Sequence, residues 1–228
     1  MTRTLVFDTE TTGLLPKKTA EFDEYPHIIQ LSFIVYNNET EQVEMTYNSY
    51  VNVDTQIPEI ITKITGITQE MCKNGIPIVT ALNDFYNAYL KCDIIVGHNI
   101  QFDISMISIS VIRNEQHLCR NMLSMFDKTT SNKIYYCTMR NCIDDCNIIR
   151  EAVRKNGTTY QYKKLPKLEE AHNHYFHTIP TGLHNALVDT LVCLRIYLKQ
   201  KYEKHIDDNE FTQWLYPMAM TTGLNVIL

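Results

Sequence analysis

Apolar residues recur at two different spacings along the chain, and the change between them separates strands from helices. Residues 4–7 form a short β-leaning run that ends at Asp8, and Gly13 and Pro16 break the polar stretch that continues to Pro26. Residues 27–36 carry Ile28, Ile29, Leu31, Phe33 and Val35, which predicts a strand buried on at least one face. Residues 41–53 alternate Val43, Met45 and Tyr47, the pattern of an antiparallel partner with its turn near Asn37 and Asn38. Residues 58–64 and 68–72 read as short helices hinged at Gly66. Residues 79–91 then place Leu82, Phe85, Tyr86, Tyr89 and Leu90 at helical spacing. A compact buried strand over 93–97, a helix over 101–113 and a last strand over 135–138 follow. Helices are predicted over 168–176 and 185–202, the second amphipathic through Leu187, Leu191, Leu194 and Leu198.

Strands first, then alternation of helix and strand, describes an α/β fold: a mixed sheet with helices packed on its faces. The length of 228 residues suits one domain. We assign that domain to residues 1–204 and a short C-terminal helical tail to 205–228, packed down by Phe211, Trp214 and Tyr216. No internal repeat or low-complexity tract interrupts the pattern.

Composition is that of an ordinary globular protein, with 44% hydrophobic and 21% charged residues. Seven cysteines in no disulfide-like spacing, with no signal-peptide region and no bilayer-spanning run, lead us to expect free thiols, no membrane association and an intracellular, soluble location. The net charge of −5 runs against a nucleic-acid partner, which usually meets a basic surface. Four of the negative charges, however, fall in segments that a bound cation would neutralise locally.

Those segments are Asp8-Thr9-Glu10-Thr11-Thr12-Gly13-Leu14, Gly97-His98-Asn99-Ile100-Gln101-Phe102-Asp103, and His184-Asn185-Ala186-Leu187-Val188-Asp189. Residues two apart on a strand share a face, so Asp8 and Glu10 project together with Thr9 turned away. Paired carboxylates at a strand end suit hard divalent cations, which take oxygen ligands. Asp103 should fall near the start of the helix after the 93–97 strand. Five helical residues turn through roughly 500°, so His184 and Asp189 cannot both sit mid-helix and address one site. Thr181 and Gly182 supply a break; Asp189 therefore belongs on the helix and His184 on the loop before it. Histidine ordinarily titrates near about 6.5 and can accept a proton from water at neutral pH. Two metals with a nearby base are the parts of phosphodiester hydrolysis. Crowded carboxylates should also raise one another's pKa until a cation relieves them.

The three segments resemble the motifs of the DnaQ-like (DEDDh) 3′–5′ exonucleases of the RNase H-like superfamily. The first matches in full, Asn99, Phe102 and Asp103 match the second, and His184-Asn185-Ala186 with Asp189 matches the third, in its histidine form. Residues 26–31 and 64–68 are also similar to the family, and the resemblance runs roughly over residues 3–200. It implies an RNase H-like mixed five-stranded sheet flanked by helices. It implies ligation of two divalent cations, Mg2+ or Mn2+, by Asp8, Glu10, Asp103 and Asp189, with His184 as general base. It further implies that Thr9 and Thr11 hold the terminal nucleotide, that Leu14 wedges against the last bases, and that Asn99 and Phe102 line the pocket. Residues 118–133 and 142–162 exceed what a minimal family member needs.

The stretch holding Arg150, Arg154, Lys155, Lys163, Lys164 and Lys167 is the most basic, and Tyr160 and Tyr162 lie within it. Basic and aromatic residues together suit single-stranded nucleic acid, and Lys163 and Lys164 are assigned to substrate; a solvated helix face followed by a loop is the plain reading. Cys137, Cys142 and Cys146 with His172, His174 and His177 match no zinc pattern, and His27 and His98 read as structural. The expected function is metal-dependent removal of nucleoside 5′-monophosphates from single-stranded DNA 3′ ends, in proofreading or repair. An exoribonuclease, or a non-catalytic nucleic-acid-binding subunit working with a polymerase, is the competing reading.

Overall fold

The computed structural model describes residues 2–17 and 20–214. Five strands form one mixed sheet: β1 (Arg3–Thr11), β2 (Ile28–Asn37), β3 (Gln42–Tyr50), β4 (Ile94–Gly97) and β5 (Ile134–Cys137), in the order β3-β2-β1-β4-β5. The first three are the antiparallel ribbon expected from the alternating pattern, while β4 adds parallel to β1 and β5 parallel to β4. Helices α1 (Glu59–Thr65), α2 (Gln69–Lys73) and α3 (Ile78–Lys91) lead to β4, and α4 (Ile100–Arg113) follows it. After β5 come the single turns α5 (Thr138–Asn141) and α6 (Ile143–Cys146), a separate hairpin of β6 (Ile149–Val153) and β7 (Thr159–Lys163), then α7 (Leu168–Phe176) and α8 (Ala186–Tyr202). This is the mixed five-stranded sheet flanked by helices that the resemblance implies. No helix among the described residues is long and apolar enough to cross a membrane.

The sheet separates two apolar layers. Leu5, Phe7, Phe33 and Ile95 pack with Phe85 of α3 and Met106 and Ile107 of α4. Val6, Ile34 and Val96 pack on the other side with Leu191, Val192 and Leu194 of α8. β2 is buried along its whole length on both faces, with Gln30, Ser32 and Asn37 buried among its apolar residues. α8 corrects the amphipathic reading. Residues from Ala186 to Leu198 are buried around nearly the whole helix, because the sheet covers one side and α7 and the segment after Tyr202 cover the other.

That segment is held through Arg195, a buried cation mid-helix (2% exposed). Its guanidinium donates from Nε (2.9 Å) and Nη2 (2.7 Å) to the Ile206 carbonyl, bonds the His172 ring (3.0 Å), and lies between the rings of Phe176 and Phe211. Phe211 is buried and Trp214 packs beside Tyr36; Tyr216 lies outside the described residues.

Candidate active site

Strand alternation aims the carboxylates. Val6 faces α8, and Asp8 and Glu10 continue that face; Leu5 and Phe7 face α4, and Thr9 continues theirs. β4 pairs with β1 only from Thr4 to Val6, so the far half of β1 has a free edge on that side. The chain turns at Gly97, where a Cβ would lie 3.1 Å from Ile100, and Asn99 caps α4 in the left-handed region (φ 65°). This tight entry brings Asp103, in the first turn of α4, onto the free edge. Its Oδ1 accepts the Thr9 N–H (3.1 Å) and the Thr9 hydroxyl (2.7 Å). Thr9 is thus turned away from Asp8 and Glu10, as expected, but it is turned toward Asp103.

The third segment arrives from above the sheet. Asn185 caps α8 by accepting the Leu187 N–H (3.1 Å). Gln30, fully buried on β2, clamps that helix start: its Oε1 accepts the Ala186 N–H (3.1 Å) and its Nε2 donates to Asn185 Oδ1 (3.4 Å). Asp189 sits in the first turn of α8 and His184 precedes the helix in a left-handed conformation (φ 67°), exposed. The His184 N–H donates to Asp189 Oδ2 (3.2 Å). The loop-and-helix division derived from the helical period is therefore present.

Asp8, Glu10, Asp103, Asp189 and His184 line one cavity of about 500 Å³, with Thr9, Leu14, His98, Asn99, Phe102, Lys167, Leu168, Glu169 and Leu183. Burial pushes the Asp8 carboxyl up to about 7; burial and the charge of Asp8 push Glu10 up to about 8. Asp103 and Asp189 are raised well above the usual carboxylate range, first by burial and then by Asp8. The two Thr9 bonds oppose the rise at Asp103, and the His184 N–H opposes it at Asp189. Asp189 Oδ1 is buried without a hydrogen-bond partner. Ligand atoms of Glu10, His184 and Asp189 lie within 4.8 Å of one another. Asp8 and Asp103 stand outside that tight group but share the cavity and its electrostatics. An oxygen-rich donor set with an orphaned buried acceptor and carboxyls held partly protonated fits a hard divalent cation.

A second cavity of about 560 Å³ adjoins the first through Thr9, Glu10, Leu14 and Phe102, and continues along Thr11 and Pro58, Ile60, Ile61 and Ile64 of the α1 region. Ile60 and Ile64 are exposed apolar side chains on a short helix, a signal that sequence reading passed over. Leu14 is 85% exposed at the junction. The structure brings Thr9, Thr11, Leu14, Asn99 and Phe102 to these cavities. It places Lys163 and Lys164 elsewhere: Lys163 pairs with Asp144 of α6 (2.6 Å) and Lys164 with Glu170 of α7 (2.5 Å). Lys167, from the same stretch, does line the site. His98 bridges the Thr138 hydroxyl (2.9 Å) and the Pro166 carbonyl (3.1 Å), and burial lowers its pKa to about 4.

Known proteins resemble this chain in sequence and in fold. The RNase_T family model, described as Exonuclease, matches residues 5–197. The 3′-5′ exonuclease DinG of Bacillus subtilis is 32% identical over 105 residues, which are 46% of this chain and 10% of the relative. The DNA polymerase III PolC-type of Caldanaerobacter subterraneus is 33% identical over 103 residues, 45% of this chain and 7% of that one. The chain thus spans a tenth or less of these curated relatives. Among solved structures, E. coli Exonuclease I in complex with a dT13 oligonucleotide superposes with a TM-score of 0.63 at 14% identity, covering 95% of this chain and 44% of that one. The nuclease domain of 3′hExo, a DEDDh family member bound to rAMP, gives 0.62 at 14% identity, covering 88% and 92%.

Proposed function

Because the chain belongs to the RNase_T exonuclease family, we propose that it is a 3′–5′ exonuclease that releases nucleoside 5′-monophosphates from single-stranded DNA ends. The observation that carries this reading is the convergence of four carboxylates and one histidine on a single cavity, with Asp189 Oδ1 buried and unpaired. Asp8, Glu10, Asp103 and Asp189 would hold two divalent cations, Mg2+ or Mn2+. Such cations supply charge neutralisation at the phosphate and activation of water.

The chain's own groups do the rest. Thr9 fixes the rotamer of Asp103, and Gln30 and Asn185 fix the start of the helix that carries Asp189. His184, exposed at the cavity wall, takes the proton of the attacking water at a ring nitrogen. Phe102 and Leu14 border both cavities, and bases of the terminal nucleotides lie against them while Asn99 and the backbone near Thr9 and Thr11 face the sugar and phosphate. A polymerase or other replication or repair factor would supply the ends, since the matching stretch of the PolC-type relatives is a small part of a polymerase chain.

The test is a set of time courses on oligonucleotides labelled at the 3′ or the 5′ end, in DNA and RNA, with metal or with chelator. Stepwise shortening from the 3′ end is expected with magnesium or manganese, fastest on single-stranded DNA. Asp189→Asn should abolish it, and His184→Ala should lower kcat about 10²- to 10⁴-fold. Monophosphate release in chelator, or shortening from the 5′ end, overturns the reading.

A further inference from the structure

The basic stretch beyond β5 is a hairpin followed by a loop rather than a helix face, and the hairpin's register sorts it into two unlike surfaces. β6 and β7 pair as Arg150 with Tyr162, Ala152 with Tyr160, and Val153 with Thr159. Directly paired residues share a face. One face therefore holds Arg150, Tyr162, Ala152 and Tyr160, and the other holds Ile149, Lys163, Glu151, Gln161 and Val153. On the second face Gln161 donates to Glu151 (3.1 Å) and Lys163 is neutralised by Asp144. The first face has no carboxylate. Arg150 and Arg154 enter no ion pair among the described residues, whereas Lys163, Lys164 and Lys167 all do. Tyr160 and Tyr162 are 39% and 44% exposed with ring centroids 6.0 Å apart, and the Arg154 guanidinium lies 4.9 Å over the Tyr160 ring. The turn is preorganised by Gly157 (φ 86°) and by Asn156, which accepts from the N–H and hydroxyl of Thr158 (3.2 and 2.8 Å).

The root of the hairpin orients this face. Lys163, on the carboxylate-bearing face, reaches α6. Lys164, one residue on, turns to Glu170 in the first turn of α7, whose Leu168 and Glu169 line the catalytic cavity beside Lys167. Tyr160, Tyr162 and Lys164 alternate onto one side. The strap after Lys164 is fixed to the cavity wall by the His98 bond to the Pro166 carbonyl. A lone two-stranded ribbon is marginally stable by its own burial, and this one carries cations without carboxylate partners beside exposed rings, on the side from which Lys164 reaches Glu170 of α7.

We infer that the Arg150, Arg154, Tyr160 and Tyr162 face of the hairpin binds the single-stranded nucleic acid upstream of the 3′ end, by base stacking on the tyrosines and phosphate contacts to the arginines; the inference rests on the exonuclease reading for its polarity. Arginines without a carboxylate partner match phosphate charge, and exposed rings accept any base. Each strand of the hairpin extends about 17 Å, so the surface serves only substrates several nucleotides long.

The experiment compares a twenty-nucleotide with a four-nucleotide oligothymidylate, both 5′-labelled. KM is measured with magnesium and Kd by fluorescence anisotropy in chelator. Wild-type protein should prefer the longer strand. Tyr160→Ala or Tyr162→Ala should raise KM and Kd for the long strand about tenfold each and leave the short-strand values in place. Phe at the same positions should restore the preference. Arg150→Gln and Arg154→Gln should each lower the slope of log Kd on log salt by about 0.7. Glu151→Ala on the opposite face should change neither ratio. A length preference untouched by the Tyr and Arg variants overturns the proposal, as does equal weakening on both lengths. Anisotropy that follows these expectations without any cleavage in magnesium leaves the hairpin proposal standing and removes the exonuclease reading instead.

Discussion

Thr9 donates its N–H and its hydroxyl to one oxygen of Asp103. A backbone donor is available there because β4 stops pairing at Val6, so the residue uses an unpaired sheet edge to hold a carboxylate from the next helix. Charge-assisted bonds of this kind orient a ligand more than they stabilise the fold. Thr9→Val keeps the shape and the N–H bond and removes the hydroxyl. The expected result is a loss of magnesium affinity of about 10- to 100-fold, with Thr9→Ser retaining wild-type affinity. Calorimetric titration of metal into both variants measures this, and equal affinities for Val and wild type refute it. Nothing in the Asp-Thr-Glu spacing points to the hydroxyl; the strand period gives only that Thr9 faces away from its two acidic neighbours. Gln30 falls within the 26–31 segment that resembles the family, but strand spacing assigns it no task, and its role exists only because α8 starts against β2.

At the scale of elements, what could be read from the chain was whatever a local period or break encodes. The three opening strands, the helices before and after β4, and the separation of His184 from Asp189 all follow from such signals. Two features did not, because each depends on partners distant in sequence. The β6–β7 hairpin has an exposed pattern on both strands, so no apolar alternation marks it; the Asn156-Gly157 turn was the available sign. α8 looked one-sided because leucines at helical spacing catch the eye, while Val188, Val192, Cys193, Ile196 and Tyr197 fill its other faces. Arg195 is the buried cation among them, and it is satisfied by the chain returning over it. Arg195→Met conserves much of the volume and leaves the Ile206 carbonyl, the His172 ring and Asp208 without their donor. Leaving the Ile206 carbonyl and the His172 ring unmet in the interior should cost about 3 kcal/mol of unfolding free energy, read from urea denaturation. A loss below about 1 kcal/mol would mean that solvent replaces the guanidinium and the segment after Tyr202 is not docked through it.

The whole molecule carries its acidic site as a standing electrostatic strain. Asp8 and Glu10 have ordinary values of 3.8 and 4.5 and are raised to about 7 and about 8 in the folded protein. Between those limits the folded state of the metal-free protein binds more protons than the unfolded state, so unfolding free energy falls as pH rises. The contribution of these groups is fully present below about 4 and is lost through about 7 to 8. Metal-free protein should therefore melt at a higher temperature at pH 5 than at pH 8, a trend opposite to that of carboxylates held in salt bridges. Divalent cation binds the ionised carboxylates, so its effect should run the other way. At one hundred times Kd, ligand linkage gives about 2.7 kcal/mol, a rise of roughly 5–10 °C for a chain of this size. That rise should be large at pH 8 and small at pH 5, where protons compete for the same oxygens. Scanning calorimetry at the two pH values, with and without magnesium or manganese, reads both slopes together. Destabilisation of the metal-free protein on acidification from pH 8 to 5 would contradict the raised carboxyls of Asp8 and Glu10. A metal effect independent of pH would place the cation somewhere other than among them.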